Sequence, residues 1–146
     1  MSTNRLLVLV SASIVSFGSV AVARPGAPKL ASEGGQQPSK SVNDGVYTTD
    51  QAARGERVFN AKCGSCHAPG RFMGEDLFKA WADKPLFELF EIARSSMPED
   101  NPGTLPVQEY ADVITYFLQL NKYPAGSAEL IASEEALRAI MFERPK

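Results

Sequence analysis

Residues 63–67 read Cys-Gly-Ser-Cys-His, and these five positions hold both cysteines and the single histidine of a 146-residue chain. Four arrangements compete for such a cluster. Two cysteines three apart close a small ring, but that is a redox-active dithiol arrangement rather than a structural staple. A thioredoxin-like dithiol enzyme sets its C-x-x-C in a βαβ context, and nothing here alternates strand with helix. A structural zinc wants four protein ligands, one more than the Cys and His residues present. The fourth arrangement, covalent haem attachment through C-x-x-C-H, uses all three side chains and leaves none spare. Cys63 and Cys66 then form thioethers to the two vinyl groups, and Gly64 and Ser65 set the reach between them. His67 follows directly and is held beneath the iron as the proximal ligand. The motif therefore predicts one haem c, covalently bound.

Attachment of this kind is made outside the cytoplasm, and the start of the chain agrees. Residues 1–23 carry one basic residue, then 18 residues without a charge ending Ala21-Val22-Ala23. A basic start, an apolar stretch and a small-x-small site predict a secretory leader cut after Ala23. The alternative is an uncleaved N-terminal anchor. Four serines and Gly18 make the stretch weakly apolar for a permanent span, so the expectation is a periplasmic protein with no membrane span once the leader is removed. Residues 24–46 hold three prolines and four glycines. Such a segment cannot bury enough surface to offset its ordering entropy, and it reads as a flexible linker. Residues 47–146 remain for the domain, with a C-terminal extension from about residue 121. The net charge is only −2 and no basic run appears, which argues against a nucleic-acid or lipid-surface partner.

The domain reads as all-α, with no credible strand. Residues 48–63 form a helix with Thr48 as N-cap and Gln51 three positions on, delivering its end straight into the motif. Ala52, Gly55 and Phe59 share one face. Gly55 weakens that helix by roughly 1 kcal/mol against alanine, which predicts the close approach of another helix. A short helix covers 74–81. Another starts at Pro85, with Leu86, Leu89, Phe90 and Ala93 on one face. Residues 107–121 give the strongest pattern, with Tyr110, Val113, Ile114 and Phe117 as the apolar stripe and Tyr116 and Leu120 as candidates to pack on Gly55. Residues 132–142 read as a last helix capped by Ser133, with Met141 at packing spacing from Leu137.

The sixth position on the iron decides between an electron carrier and an open, reactive site. With no second histidine, bis-histidine ligation is excluded. Met73 lies close after His67, where crossing to the other face of the ring is hard, and Met141 reads as packing. Met97 sits in SSMPEDNPGTLP, where Pro98, Pro102, Pro106 and Gly103 make a stiff loop. A weak iron–thioether bond needs that kind of support, so Met97 is the candidate. The bland alternative is that it plugs a gap in the loop.

Three stretches, AARGERVFNAKCGSCH, GEDLFKAW and SSMPEDNPGTLPVQEYADVITYFLQLNKYPAG, resemble class I cytochrome c. The nearest likeness is to the single-haem domains found beside quinoprotein dehydrogenases. The resemblance implies Met97 as the sixth ligand. It implies the cytochrome c fold, with the N- and C-terminal helices crossing, Gly55 and Phe59 meeting Tyr116, and the haem in a slot between helices and a Met-bearing loop. It also implies an electron carrier rather than an enzyme, with a quinoprotein alcohol dehydrogenase as donor and an oxidase or second cytochrome as acceptor. The rivals are a haem peroxidase or gas-binding sensor with an open sixth site, against which the lack of a distal histidine speaks, and a permanent cytochrome subunit of a dehydrogenase complex. Two departures stand out. Pro69 follows His67 by two residues, which puts the hydrogen-bond partner of the imidazole in question. Pro106 occupies the position where similar domains carry a capping serine. Trp81 and Arg71 are candidates for hydrogen bonds to haem propionates, with packing and plain solvation as their respective alternatives.

Overall fold

Helix α1 (Thr49–Lys62) begins where the cap predicts. Thr48 is extended, and its Oγ1 accepts the Gln51 N–H at 3.2 Å. Gln51 does not reach back to complete the pair. Its side chain is fully buried, donating to Asp112 Oδ1 and to the Leu130 carbonyl at 3.0 Å each and accepting the Leu130 N–H at 2.7 Å. These contacts come from the structure, a computed structural model, which describes residues 40–146. The expected leader and residues 24–39 of the expected linker lie outside the described residues.

Four further helices follow among the described residues: α2 (Glu75–Trp81), α3 (Leu86–Ser96), α4 (Val107–Leu120) and α5 (Glu134–Arg138). The most extensive packing in the fold is between α1 and α4. Gly55 lies at that crossing. A Cβ placed on it would stand 1.8 Å from the Asp112 carbonyl oxygen, so the two main chains touch. The sequence pattern pointed to Tyr116 and Leu120 as the partners of Gly55. The contact instead lies at Asp112–Val113, and Tyr116 meets Phe59, ring centroids 5.6 Å apart. A missing Cβ makes room for backbone, whereas an aromatic ring needs a larger opening.

The interior follows the predicted stripes. Leu86, Leu89 and Phe90 of α3 are buried, as are Tyr110, Val113, Ile114 and Phe117 of α4. Helix α4 is buried on nearly all sides, including Asp112 and Thr115. Its start at Pro106 has no side-chain cap, and Val107 is half exposed.

Three short strands were not anticipated. β1 (Lys40–Ser41) pairs in parallel with β3 (Ile140–Phe142), which pairs antiparallel with β2 (Lys84–Pro85). Strands of two or three residues are too short to display alternation. The last helix accordingly stops at Arg138, and Met141 sits in β3 opposite Pro85 rather than on a helix face. Residues 40–46, expected in the linker, belong to the fold. Ser41 caps a 3-10 turn over Val42–Asp44, accepting from Asn43 N–H at 3.1 Å while its own N–H donates to Asp44 Oδ2 at 2.8 Å, and Val42 is fully buried. One buried valine and a reciprocal cap suffice once the chain's far end supplies a strand.

The extension after α4 is tied down by polar contacts. Arg54 bridges Asp112 (Nε to Oδ2, 3.1 Å) and Glu129 (2.8 Å from each terminal nitrogen). The Glu129 carboxyl is held below its ordinary range by that guanidinium. Tyr47 donates to the Tyr123 carbonyl at 2.8 Å, and Tyr123 donates to the Glu143 carbonyl. Among the described residues no helix is long and apolar enough to cross a membrane.

Two outcomes follow from this packing. Gly55→Ala forces the α1–α4 backbones apart and is expected to destabilise the domain by about 3 kcal/mol, the upper end for overpacking, read from urea unfolding. Burial pushes the Tyr123 phenol from 10.0 to about 12. The folded state therefore keeps its proton where the unfolded state loses it. This contribution to stability is full below pH 10.0 and is lost as the pH rises toward about 12. Urea midpoints measured across that window should fall, and the fall should be shallower in Tyr123→Phe.

Candidate functional site

The last turn of α1 runs into the cysteine motif without a break. The N–H groups of Cys63 and Gly64 both donate to the Phe59 carbonyl at 2.8 Å. The chain then tightens around Cys63, whose carbonyl accepts from Cys66 N–H at 3.1 Å and His67 N–H at 2.9 Å. This turn gathers a half-buried Cys63, an exposed Cys66 and a half-buried His67. The two thiols are not joined to each other, and burial pushes the Cys63 thiol up. Among the described residues no three His, Cys, Asp or Glu side chains gather to hold a bare metal ion.

Met97 approaches from α3. It ends that helix, its N–H donating to Ala93 at 3.0 Å. The loop beyond is closed by Asn101 N–H to the Pro98 carbonyl at 3.0 Å and by Gly103 N–H to the Met97 carbonyl at 3.2 Å. Gly103 makes that turn at φ +75°.

Two clefts open between these segments. The outer one, about 440 Å³, runs from Cys66 to Glu99 and Asp100. The inner one, about 170 Å³, has aromatic and aliphatic walls that include Phe59, Phe72, Leu89 and Val113. Cys63, His67, Met97 and Pro98 line both. The histidine side and the methionine side thus bound the same space, and Met97 is the one methionine on its walls among the described residues. Met73 is exposed and on neither wall.

The donor set fits a flat, largely apolar iron macrocycle. It offers two thiols for the edge of the ring, an imidazole, a thioether and apolar walls. His67 Nδ1 is buried with no hydrogen-bond partner among the described residues. An unpaired buried nitrogen costs about 1–3 kcal/mol, so this imidazole keeps bonding capacity in hand. The missing partner agrees with the departure noted at Pro69. That proline starts a 3-10 turn over Pro69–Phe72, and none of the turn's carbonyls accepts from His67.

Trp81 is half-buried on the inner wall, with Lys84 Nζ 5.2 Å above its ring. Arg71 is exposed, lies on neither wall and forms no ion pair among the described residues. Three contributions were missed in the sequence. The Phe72 ring stacks on Phe117 at 4.1 Å and stands edge-on to His67 at 5.7 Å. Asn121 holds the segment that carries Phe72. It donates to the Phe72 and Phe117 carbonyls at 2.7 and 2.8 Å and accepts the Gly74 N–H at 2.8 Å. The Tyr110 hydroxyl donates to the Met97 carbonyl at 2.8 Å. The signal for Tyr110 and Asn121 was a polar group at a core position, since such a group wants a partner when buried.

Helices crossing at a glycine, an attachment motif at the end of the first and a methionine loop before the last long one are the arrangement that a c-type cytochrome domain needs. Residues 50–117 match the family model described as Cytochrome C oxidase, cbb3-type, subunit III, a span just under half of the chain that contains the motif and the Met97 loop. No curated protein and no solved structure matches the chain. The fold is the all-α cytochrome c fold and the cofactor is covalently bound haem c; the match supports an electron-transfer haem protein rather than an enzyme.

Asn121→Ala leaves Gly74 N–H and the Phe72 carbonyl without partners. It is expected to cost about 2 kcal/mol in urea unfolding and to speed amide exchange at Gly74.

Proposed function

We propose that this protein is an exported single-haem electron carrier, accepting electrons from a dehydrogenase and passing them to a downstream oxidase or second cytochrome. One observation carries the reading: His67 and Met97 line the same pair of clefts. Haem c, when bound, supplies a one-electron iron couple. The chain's own residues do the rest. Cys63 and Cys66 would fasten the group, and His67 and Met97 would supply its iron with a nitrogen and a sulfur ligand. Phe59, Phe72, Leu89 and Val113 keep water from it. With the chain supplying both a histidine and a methionine, no coordination site would be left for a substrate, and little would have to rearrange when the charge changes. Trp81, on the inner wall, is the group proposed to reach a propionate. Arg71 stands outside the walls, so the same role for it gains no support.

The donor assignment rests on the likeness to domains beside quinoprotein alcohol dehydrogenases, a fold-level analogy. The description of the matching family names an oxidase subunit, which favours an oxidase on the acceptor side and keeps a fixed-subunit arrangement in play. Redox encounters of this kind use small interfaces. Export to the periplasm is supported by the leader-like start of the chain.

Met97→Ala tests the reading. The variant should still bind haem through Cys63 and Cys66. It should lose the weak far-red band of a sulfur-ligated ferric haem, show a lower reduction potential and bind carbon monoxide when reduced. Rapid carbon monoxide binding by the unmodified reduced protein would overturn it in favour of an open site.

A further inference from the structure

Beyond the bond from Met97 N–H to Ala93 that ends α3, the loop that carries Met97 is held to the helical frame by a buried side-chain hydroxyl. Tyr110, on α4, is 3% exposed. Its hydroxyl donates to the Met97 carbonyl at 2.8 Å and accepts the Leu105 N–H at 3.4 Å. It therefore closes the loop at both ends. Apart from the Met97 N–H bond to Ala93, the loop's other bonds run within it: Gly103 N–H to Met97, Asn101 N–H to Pro98, and Thr104 Oγ1 to the Asn101 carbonyl at 2.8 Å. The serine hydroxyls at the end of α3 bond back to their own helix, Ser95 to Glu91 and Ser96 to Ile92. Leu105 packs against the core from the far end of the loop. Among the described residues no other side chain outside the loop bonds to the Met97 backbone.

An iron–thioether bond is weak, so its strength depends on how firmly the backbone presents the sulfur. Phenylalanine at position 110 would pack as the tyrosine ring does. It could not hold the Met97 carbonyl, which would keep only the Gly103 bond, and Leu105 N–H would lose its acceptor.

We propose that Tyr110 is a positioning residue for methionine ligation: through the Met97 carbonyl, its hydroxyl sets how readily the thioether leaves the iron. The inference rests on the assignment of Met97 as the sixth ligand. A single hydrogen bond of this kind corresponds to up to about a tenfold change in an equilibrium.

The experiment uses the haem-loaded full chain in four forms: unmodified, Tyr110→Phe, Tyr47→Phe and Met97→Ala. Tyr47 is a matched control. Its buried hydroxyl donates to a backbone carbonyl, that of Tyr123, at 2.8 Å, and it lines neither cleft. Tyr110→Phe should bind carbon monoxide in the reduced state up to about tenfold more tightly than the unmodified protein. It should also lose the ferric far-red band at a lower temperature, while Tyr47→Phe matches the unmodified protein in both. Equal carbon monoxide affinity in Tyr110→Phe and the unmodified protein overturns the proposal. So does an equal rise in Tyr47→Phe, which would report general loosening. A Tyr110→Phe chain that loads no haem while Tyr47→Phe loads it makes the hydroxyl a folding requirement and also ends the proposal. Failure of the underlying assignment looks different: the unmodified protein would lack the far-red band, and Met97→Ala would change nothing.

Discussion

The fold depends on two main chains being allowed to touch. At Gly55 the α1 backbone lies against the carbonyl of Asp112 in α4, closer than any side chain would permit. That contact sets the distance and angle between the helices, and everything functional hangs from those two rods. Helix α1 ends in the cysteine motif. Helix α4 presents Val113 and Phe117 to the inner cleft. A wider crossing would move the attachment motif away from the wall it faces, so the weakness that glycine brings to α1 is offset by the geometry it permits.

A touching crossing alone would be free to slide, and buried polar contacts fix its register. Asp112, whose carbonyl faces Gly55, is 4% exposed. Its carboxylate takes hydrogen bonds from Gln51, Arg54 and Gln108. Gln51 sits one turn before Gly55, so side-chain and main-chain contacts between the helices reinforce one another. A buried carboxylate is tolerable only when its oxygens are satisfied, and here three partners from α1 and α4 do that. Gln51 also bonds both backbone groups of Leu130, and Arg54 reaches Glu129. The same cluster that locks the crossing therefore anchors the chain beyond α4. The segment at 40–46 then returns through β1 to pair with β3.

What was legible in the sequence was whatever shows up as spacing. Three donor side chains in five positions, the 3.6-residue stripes of α1, α3 and α4, the Thr48 cap and the glycine at the crossing can each be read locally. Contacts made between distant segments could not be. The strands at 40–41, 84–85 and 140–142 carry no alternation, and each exists because the others are there. Gln51 reads locally as half of a capping pair, yet its amide is taken by Asp112 and Leu130 across the interface. Tyr110 reads locally as core packing. The ring does pack, but what the hydroxyl bonds to depends on where the Met97 loop ends, and that is a tertiary fact.

The stripe on α4 has two ends, and they do different things from its middle. Tyr110 and Asn121 are eleven residues apart, three turns, which brings them back to nearly the same face about 16 Å apart along the axis. Val113 and Phe117 lie between them on the cleft wall. At one end Tyr110 bonds the segment that carries Met97; at the other Asn121 bonds the segment that carries Phe72, the ring edge-on to His67. Both approaches to the cleft are thus referred to one helix, itself pinned to α1 at Gly55. Two cleft-lining segments attached to separate elements could drift independently. Attached to a single buried helix, the segments carrying Met97 and Phe72 keep their separation, so the two sides of the cleft are positioned by one support rather than by two.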